Sequence, residues 1–149
     1  MSQLVCDQRA KNGHRAAVVC SAMGKTTNAL LAAGDFAVND GTLCMDSIRT
    51  NHLAACDELE VSDNTRAEVI ELLDNLGRLL EGITYLRELT PRTKDLLVSF
   101  GERMSVRLVA SCLNSMGVPA QVSDDSGGRW WRERLASGLA LAAQPSPLV

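Results

Sequence analysis

Arg15-Ala16-Ala17-Val18-Val19-Cys20 leads into Ser21-Ala22-Met23-Gly24 and then into Lys25-Thr26-Thr27-Asn28-Ala29-Leu30-Leu31. Residues 15–20 hold a short unbroken apolar run with two valines, the pattern of a strand buried on both faces in a parallel sheet. The small residues after it suit a tight loop. A helical pattern then runs from about Lys25 to Asn39 through Leu30, Leu31, Ala33 and Val38, and Gly41 is its C-terminal stop. Strand, loop and helix are half of a βαβ unit. The expectation is an α/β domain with one strand at 15–21 and a second, parallel strand at 118–123 (Val-Pro-Ala-Gln-Val-Ser).

The segment between these strands reads as helical and acidic. Thr42 is a candidate cap for a helix ending near Leu59, and Ser62 or Asp63 for the next. In that second helix Val69, Ile70, Leu72, Leu73, Leu76, Leu79, Leu80, Ile83 and Leu86 recur at three-to-four spacing. Such a stripe is either core or a partner-binding face, and core is the commoner use. Thr90-Pro91 is a cap followed by proline in the first turn. Gly101, poor in a helix interior, predicts a break, with Glu102 in the first turn of another helix that ends at Gly117.

Composition narrows the function. The 149 residues carry 15 Lys+Arg against 18 Asp+Glu, a net charge of -3. Phosphate-backbone binding needs clustered positive charge, so a nucleic-acid partner is not expected. Aromatics make up only 3%, which argues against base-stacking platforms. No apolar run approaches the roughly 18 residues of a membrane span. The N-terminus resembles neither a signal peptide nor a transit peptide. The reading is a soluble, cytosol-like domain without membrane attachment.

Five cysteines (Cys6, Cys20, Cys44, Cys56, Cys112) are odd in number and form no C-x-x-C pair, so they read as buried reduced thiols, and no metal site is expected. His14 and His52 have no acid or Cys partner at ligand spacing and read as surface residues. Residues 1–11 read as the end of a helix with Leu4 and Val5 on its apolar side. After Asp124 the character changes to Ser126-Gly127-Gly128-Arg129-Trp130-Trp131-Arg132 and a Pro145-Ser146-Pro147 end. That stretch reads as a poorly ordered tail, with the Trp pair as an alternative partner anchor.

Val19 to Thr26 (V-C-S-A-M-G-K-T) stands one residue from the G-x-x-x-x-G-K-[ST] phosphate loop. Valine replaces the first glycine and cannot take a positive φ cheaply. No apolar strand ending in a magnesium-binding Asp follows. A looser anion site remains sensible: backbone N–H groups after Gly24, the hydroxyls of Ser21, Thr26 and Thr27, and the helix dipole all favour a carboxylate or phosphate. Equally, Thr26 and Thr27 are candidates for simple helix caps.

Two longer segments carry a family resemblance. Val18-Val19-Cys20-Ser21-Ala22-Met23-Gly24-Lys25-Thr26-Thr27-Asn28 resembles the second-strand motif of aspartokinases, close to the plant-type single-function form. Leu89 to Ser105 (LTPRTKDLLVSFGERMS) resembles the same family's S-x-G-E segment. The resemblance covers about residues 1–124, as a partial amino-acid kinase domain, and leaves 125–149 as an unrelated tail. It implies the amino-acid kinase (carbamate kinase-like) αβα sandwich, a mainly parallel sheet between helix layers, with a helix-rich middle. It also implies ATP-dependent phosphorylation of the side-chain carboxylate of L-aspartate, the entry step to lysine, threonine, methionine and isoleucine synthesis.

By that resemblance, Ser21 and Thr27 contact the aspartate and Glu102 receives its ammonium group. The chemistry suits a dipolar amino acid, which needs hydroxyl and N–H donors at one end and a carboxylate at the other. An acid at the helix N-terminal dipole is the alternative reading of Glu102. The family's first strand, K-F-G-G-[TS], has no counterpart before Arg15, and Met1-Ser2-Gln3-Leu4-Val5 reads as the interior of the helix that follows it. The G-R-G-G-S-D type ATP motif and the C-terminal regulatory ACT domains have no counterpart either. The expectation is an aspartate kinase fragment, inactive alone, with L-aspartate and ATP-magnesium as the substrates of the full-length family. No cofactor is then held tightly, and homo-oligomers occur as in the family. The location is cytoplasm-like, or plastid for a plant or algal parent. The alternative is a non-enzymatic helical interaction module built on the 62–88 stripe and the Trp pair.

Overall fold

The computed structural model describes residues 18–122, and four helices account for most of them. They are α1 (Thr26–Asn39), α2 (Asp46–Glu58), α3 (Asp63–Leu86) and α4 (Pro91–Ser115). The described residues belong to two units, one of residues 20–108 and one that includes residues 18–19 and 109–122. None of the helices is long and apolar enough to cross a membrane.

In the first unit α3 packs against both α1 and α2. Its start follows from local chemistry: the Ser62 hydroxyl accepts the Thr65 N–H at 3.2 Å, satisfying a donor that the first turn leaves orphaned. Its apolar stripe lies inside, with Val69, Leu72, Leu73, Leu76, Leu80 and Ile83 buried. They meet Leu30, Ala33 and Ala37 of α1, Ile48, Ala55 and Cys56 of α2, and Leu97, Phe100, Met104 and Leu108 of α4 in one core. The stripe is thus taken up by packing rather than presented to a partner. Thr90 caps α4 as expected, accepting the Thr93 N–H at 3.1 Å, and Pro91 opens the helix.

Several expectations are corrected here, among them the Thr42 cap, since the helix Asp46–Glu58 has Met45 at its N-cap. No strand is present among the described residues, so the α/β sandwich with its parallel sheet is not the architecture found. Val18–Cys20 has an irregular backbone, and Val19 is 94% exposed rather than buried on both faces. An apolar run records a tendency to be buried, whereas a strand also needs a ladder partner. Residues 15–17 of this predicted strand lie outside the described residues. The predicted strand at 118–123 fails for a visible reason in the second unit. Gly117 (φ +74) donates to the Asn114 carbonyl and Val118 to the Leu113 carbonyl, which closes α4 in a Schellman arrangement. The Asn114 side chain then clamps Ala120, accepting its N–H at 2.8 Å and donating to its carbonyl at 3.0 Å. Those backbone groups are engaged locally and form no ladder; Ser123 lies outside the described residues.

Another correction concerns Gly101. No break occurs there, and α4 is continuous from Pro91 to Ser115. Glycine costs a helix interior roughly 1 kcal/mol relative to alanine, but here it permits a close packing contact described below. A further one concerns His52, which is fully buried in α2 rather than on the surface. Its Nδ1–H donates to the Ile48 carbonyl at 2.7 Å, and Nε2 has no partner. Burial holds this imidazole below its ordinary pKa, offset in part by the Ile48 bond. Among the thiols, Cys56 is buried, Cys20 and Cys112 are half-buried, and Cys44 is exposed, contrary to the uniformly buried reading. Burial raises the pKa of Cys20 and Cys56. The readings made for residues 1–14, including Cys6 and His14, and for residues 125–149 lie outside the described residues.

Candidate substrate site

The loop before α1 turns at Gly24 (φ +53), and the Thr26 N–H closes the turn on the Met23 carbonyl at 3.0 Å. Lys25 occupies the N-cap position of α1 and makes no side-chain capping bond. Thr26 and Thr27 are therefore the first helical residues, not its caps, which removes one bland reading of the pair. Thr26 is buried, while Ser21, Gly24, Lys25 and Thr27 are exposed.

On the other side, Glu102 is exposed and sits in the interior of the continuous α4. It is outside the first turn, so the helix N-terminal dipole does not account for an acid at this position. Its neighbour Gly101 is buried against the loop and α1. A Cβ built at Gly101 would lie 2.9 Å from Ala22 Cβ, 3.1 Å from Thr26 Cγ2 and 3.2 Å from Leu30 Cδ1. Ala22, Thr26 and Gly101 thus form one tight seam. Ser21, Thr27 and Glu102 each stand one residue along the chain from a seam residue, and each is exposed. No hydrogen bond joins the three to one another among the described residues.

Helical geometry separates this margin from a second feature. Successive helix residues turn by about 100°, so Thr27 and Ala29 leave the core-facing Thr26–Leu30 line on opposite flanks. Ala29 helps line a cavity of about 330 Å³ with Met23, Gly24, Lys25 and Thr26, closed by Ile48, Asn51, Ala54, Ala55 and Glu58 of α2. Ser21, Thr27 and Glu102 do not line it. Among the described residues no group of three or more His, Cys, Asp or Glu is placed to hold a metal ion.

The close approach at Gly101 is the feature that the spacing of apolar residues does not reveal. Ala22 and Thr26, unremarkable as letters, matter because that helix lies on them. A glycine next to an acid inside an otherwise strong helix was the available signal.

The amino acid kinase family model matches residues 3–142. The chain is 46% identical over 117 residues to the chloroplastic aspartokinase 2 of Arabidopsis thaliana, covering 74% of this chain and 21% of that protein. It is 42% identical over 113 residues to the chloroplastic aspartokinase 1 of the same plant, covering 72% and 19%. The aspartokinase of Schizosaccharomyces pombe is 30% identical over 151 residues, covering 87% and 28%. The chain spans about a fifth of the length of the Arabidopsis relatives. It therefore belongs to the amino acid kinase family, and the homologues it matches there are aspartokinases.

Proposed function

We propose that this chain carries the amino-acid side of an aspartokinase site, with Ser21 and Thr27 contacting L-aspartate and Glu102 receiving its ammonium group. The observation that supports the reading is the Gly101 seam, which packs the chain neighbour of Glu102 against Ala22 and Thr26, the chain neighbours of Ser21 and Thr27, with all three candidate residues exposed. Hydroxyls and the N–H groups at the start of α1 suit the carboxylates of a dipolar amino acid, because the helix dipole favours negative charge there. A carboxylate suits its ammonium through a charge-assisted bond. ATP is the phosphoryl donor in this reading, and the residues that would hold it are not assigned within residues 18–122. The chloroplastic names of the Arabidopsis relatives support a plastid location for the protein that carries this chain.

The test is a titration of the isotope-labelled chain with L-aspartate, followed by amide chemical shifts. Saturable shifts at Ser21, Thr27 and Glu102 are expected. Shifts confined to the α1–α2 cavity, or no saturable shift at all, would overturn the reading.

A further inference from the structure

Gly101 does more than tolerate its neighbours. All three carbons facing it lie closer to a built Cβ, at 2.9, 3.1 and 3.2 Å, than the ordinary carbon contact of about 3.5–4.0 Å. None of the three yields easily. Ala22 has no rotatable side chain, so its Cβ moves only with the loop backbone. Thr26 is buried and β-branched, hence stiff at χ1. Leu30 is fully buried in the core. A methyl group at 101 therefore pushes the 21–24 loop and α4 apart, by about 0.6–1.1 Å if contact is to relax.

Ser21 and Thr27 ride on one side of that seam and Glu102 on the other. We propose that Gly101 is a positioning residue that holds the Glu102 carboxylate and the Ser21–Thr27 hydroxyls at the span of aspartate, and so excludes the homologue one methylene longer, glutamate. The proposal rests on the aspartate reading above. The two ligands carry the same charges and differ only in length, by roughly the scale of one carbon–carbon bond of about 1.5 Å. The widening produced by one methyl is of that order, which makes the ratio of the two affinities the sensitive readout.

The experiment is the same shift titration on the full 149-residue chain, run with L-aspartate and with L-glutamate. The unsubstituted chain should favour aspartate by about tenfold or more, the usual discrimination for one methylene. Gly101→Ala should cut that ratio about tenfold, mainly by weakening aspartate. The double variant Gly101→Ala with Ala22→Gly removes the 2.9 Å partner and should recover most of the ratio, as coupled neighbours do. A role confined to folding would lower both affinities together and leave the ratio unmoved. Circular dichroism checks that each variant folds. Should Gly101→Ala fail to fold, Ala22→Val enlarges the same seam from the other face with Gly101 retained, and the ratio should fall likewise. If the original chain favours aspartate and the folded seam variants keep its ratio, the proposal is overturned while the aspartate reading stands. If the original chain binds neither amino acid at Ser21 and Thr27, the aspartate reading itself fails and takes this inference with it.

Discussion

The Arg87 guanidinium donates to the Val38 carbonyl at 3.1 Å and to the Asn39 carbonyl at 3.2 Å, across 49 and 48 residues of chain. Arg87 is itself the C-cap of α3, with φ +55, and its N–H donates to the Ile83 carbonyl at 2.8 Å. One residue thus closes two helices, α3 through its backbone and α1 through its side chain. Arg87→Ala should lower unfolding free energy by about 1–2 kcal/mol, since charge-assisted bonds at an exposed position are lost. Arg87→Gly loses the same bonds but relieves the left-handed backbone, and should be the milder change by about 1 kcal/mol. Paired urea denaturation curves check this; equal losses would show that the backbone is unstrained.

Glu102→Gln keeps the shape of the side chain and removes its charge. Aspartate affinity should fall about tenfold or more, the worth of a hydrogen bond to a charged partner. Because the carboxylate is exposed, stability should change by less than about 0.5 kcal/mol. Thr27→Ala should weaken aspartate in the same way, read by the same titration. Unchanged aspartate affinity in both variants would remove these residues from the site.

His52 makes stability depend on pH. Its folded pKa lies below the unfolded value of about 6.5, so the unfolded chain binds the extra proton first. Stability is full above about pH 6.5 and is lost as pH falls from there toward the folded value. Denaturant midpoints at a series of pH values between 8 and 5 (chosen to bracket that range) should decline on the acid side. His52→Leu removes the titrating ring and the partnerless Nε2 together, so it should flatten that decline at little cost at pH 8. An unchanged pH profile in His52→Leu would assign the decline to other groups.

A polypeptide of these 149 residues alone should show no aspartate kinase turnover. Neither K-F-G-G nor G-R-G-G-S-D stands in the sequence, and phosphoryl transfer depends on positioning and charge neutralisation. Removing one preorganised donor commonly costs about 10²–10³ in rate. A coupled assay with ATP, magnesium and L-aspartate is the check; rates near the typical 1–100 per second, roughly, would contradict it.

What could be read in advance follows the range of the interactions. Ser62 and Thr90 are legible as caps because each bonds an N–H three residues away. The α3 stripe is legible because its period is the helix period, although Leu86, at its end, is 75% exposed. Val19 misleads because apolar character does not supply a strand's neighbour. Val118 and Ala120 mislead because Leu113 and Asn114, in the preceding helix, engage their backbones first. The burial of His52 was legible in principle, since Ile48, His52, Ala55 and Cys56 share one face by three-to-four spacing. For the site, the resemblance supplies Ser21, Thr27 and Glu102, but the seam beside them is a tertiary contact between residues 22 and 101, beyond any local pattern.

That seam also bears on the order of folding. Helices with their own caps and apolar faces form within microseconds, from contacts close in sequence. The contact of Gly101 with Ala22 joins residues 79 positions apart (101 minus 22) and brings α4 against the loop before α1. Loop closure of that length is entropically slow and comes after local structure. The candidate substrate site therefore depends on a long-range contact that the helices cannot supply singly, and it is expected to form only once they have packed.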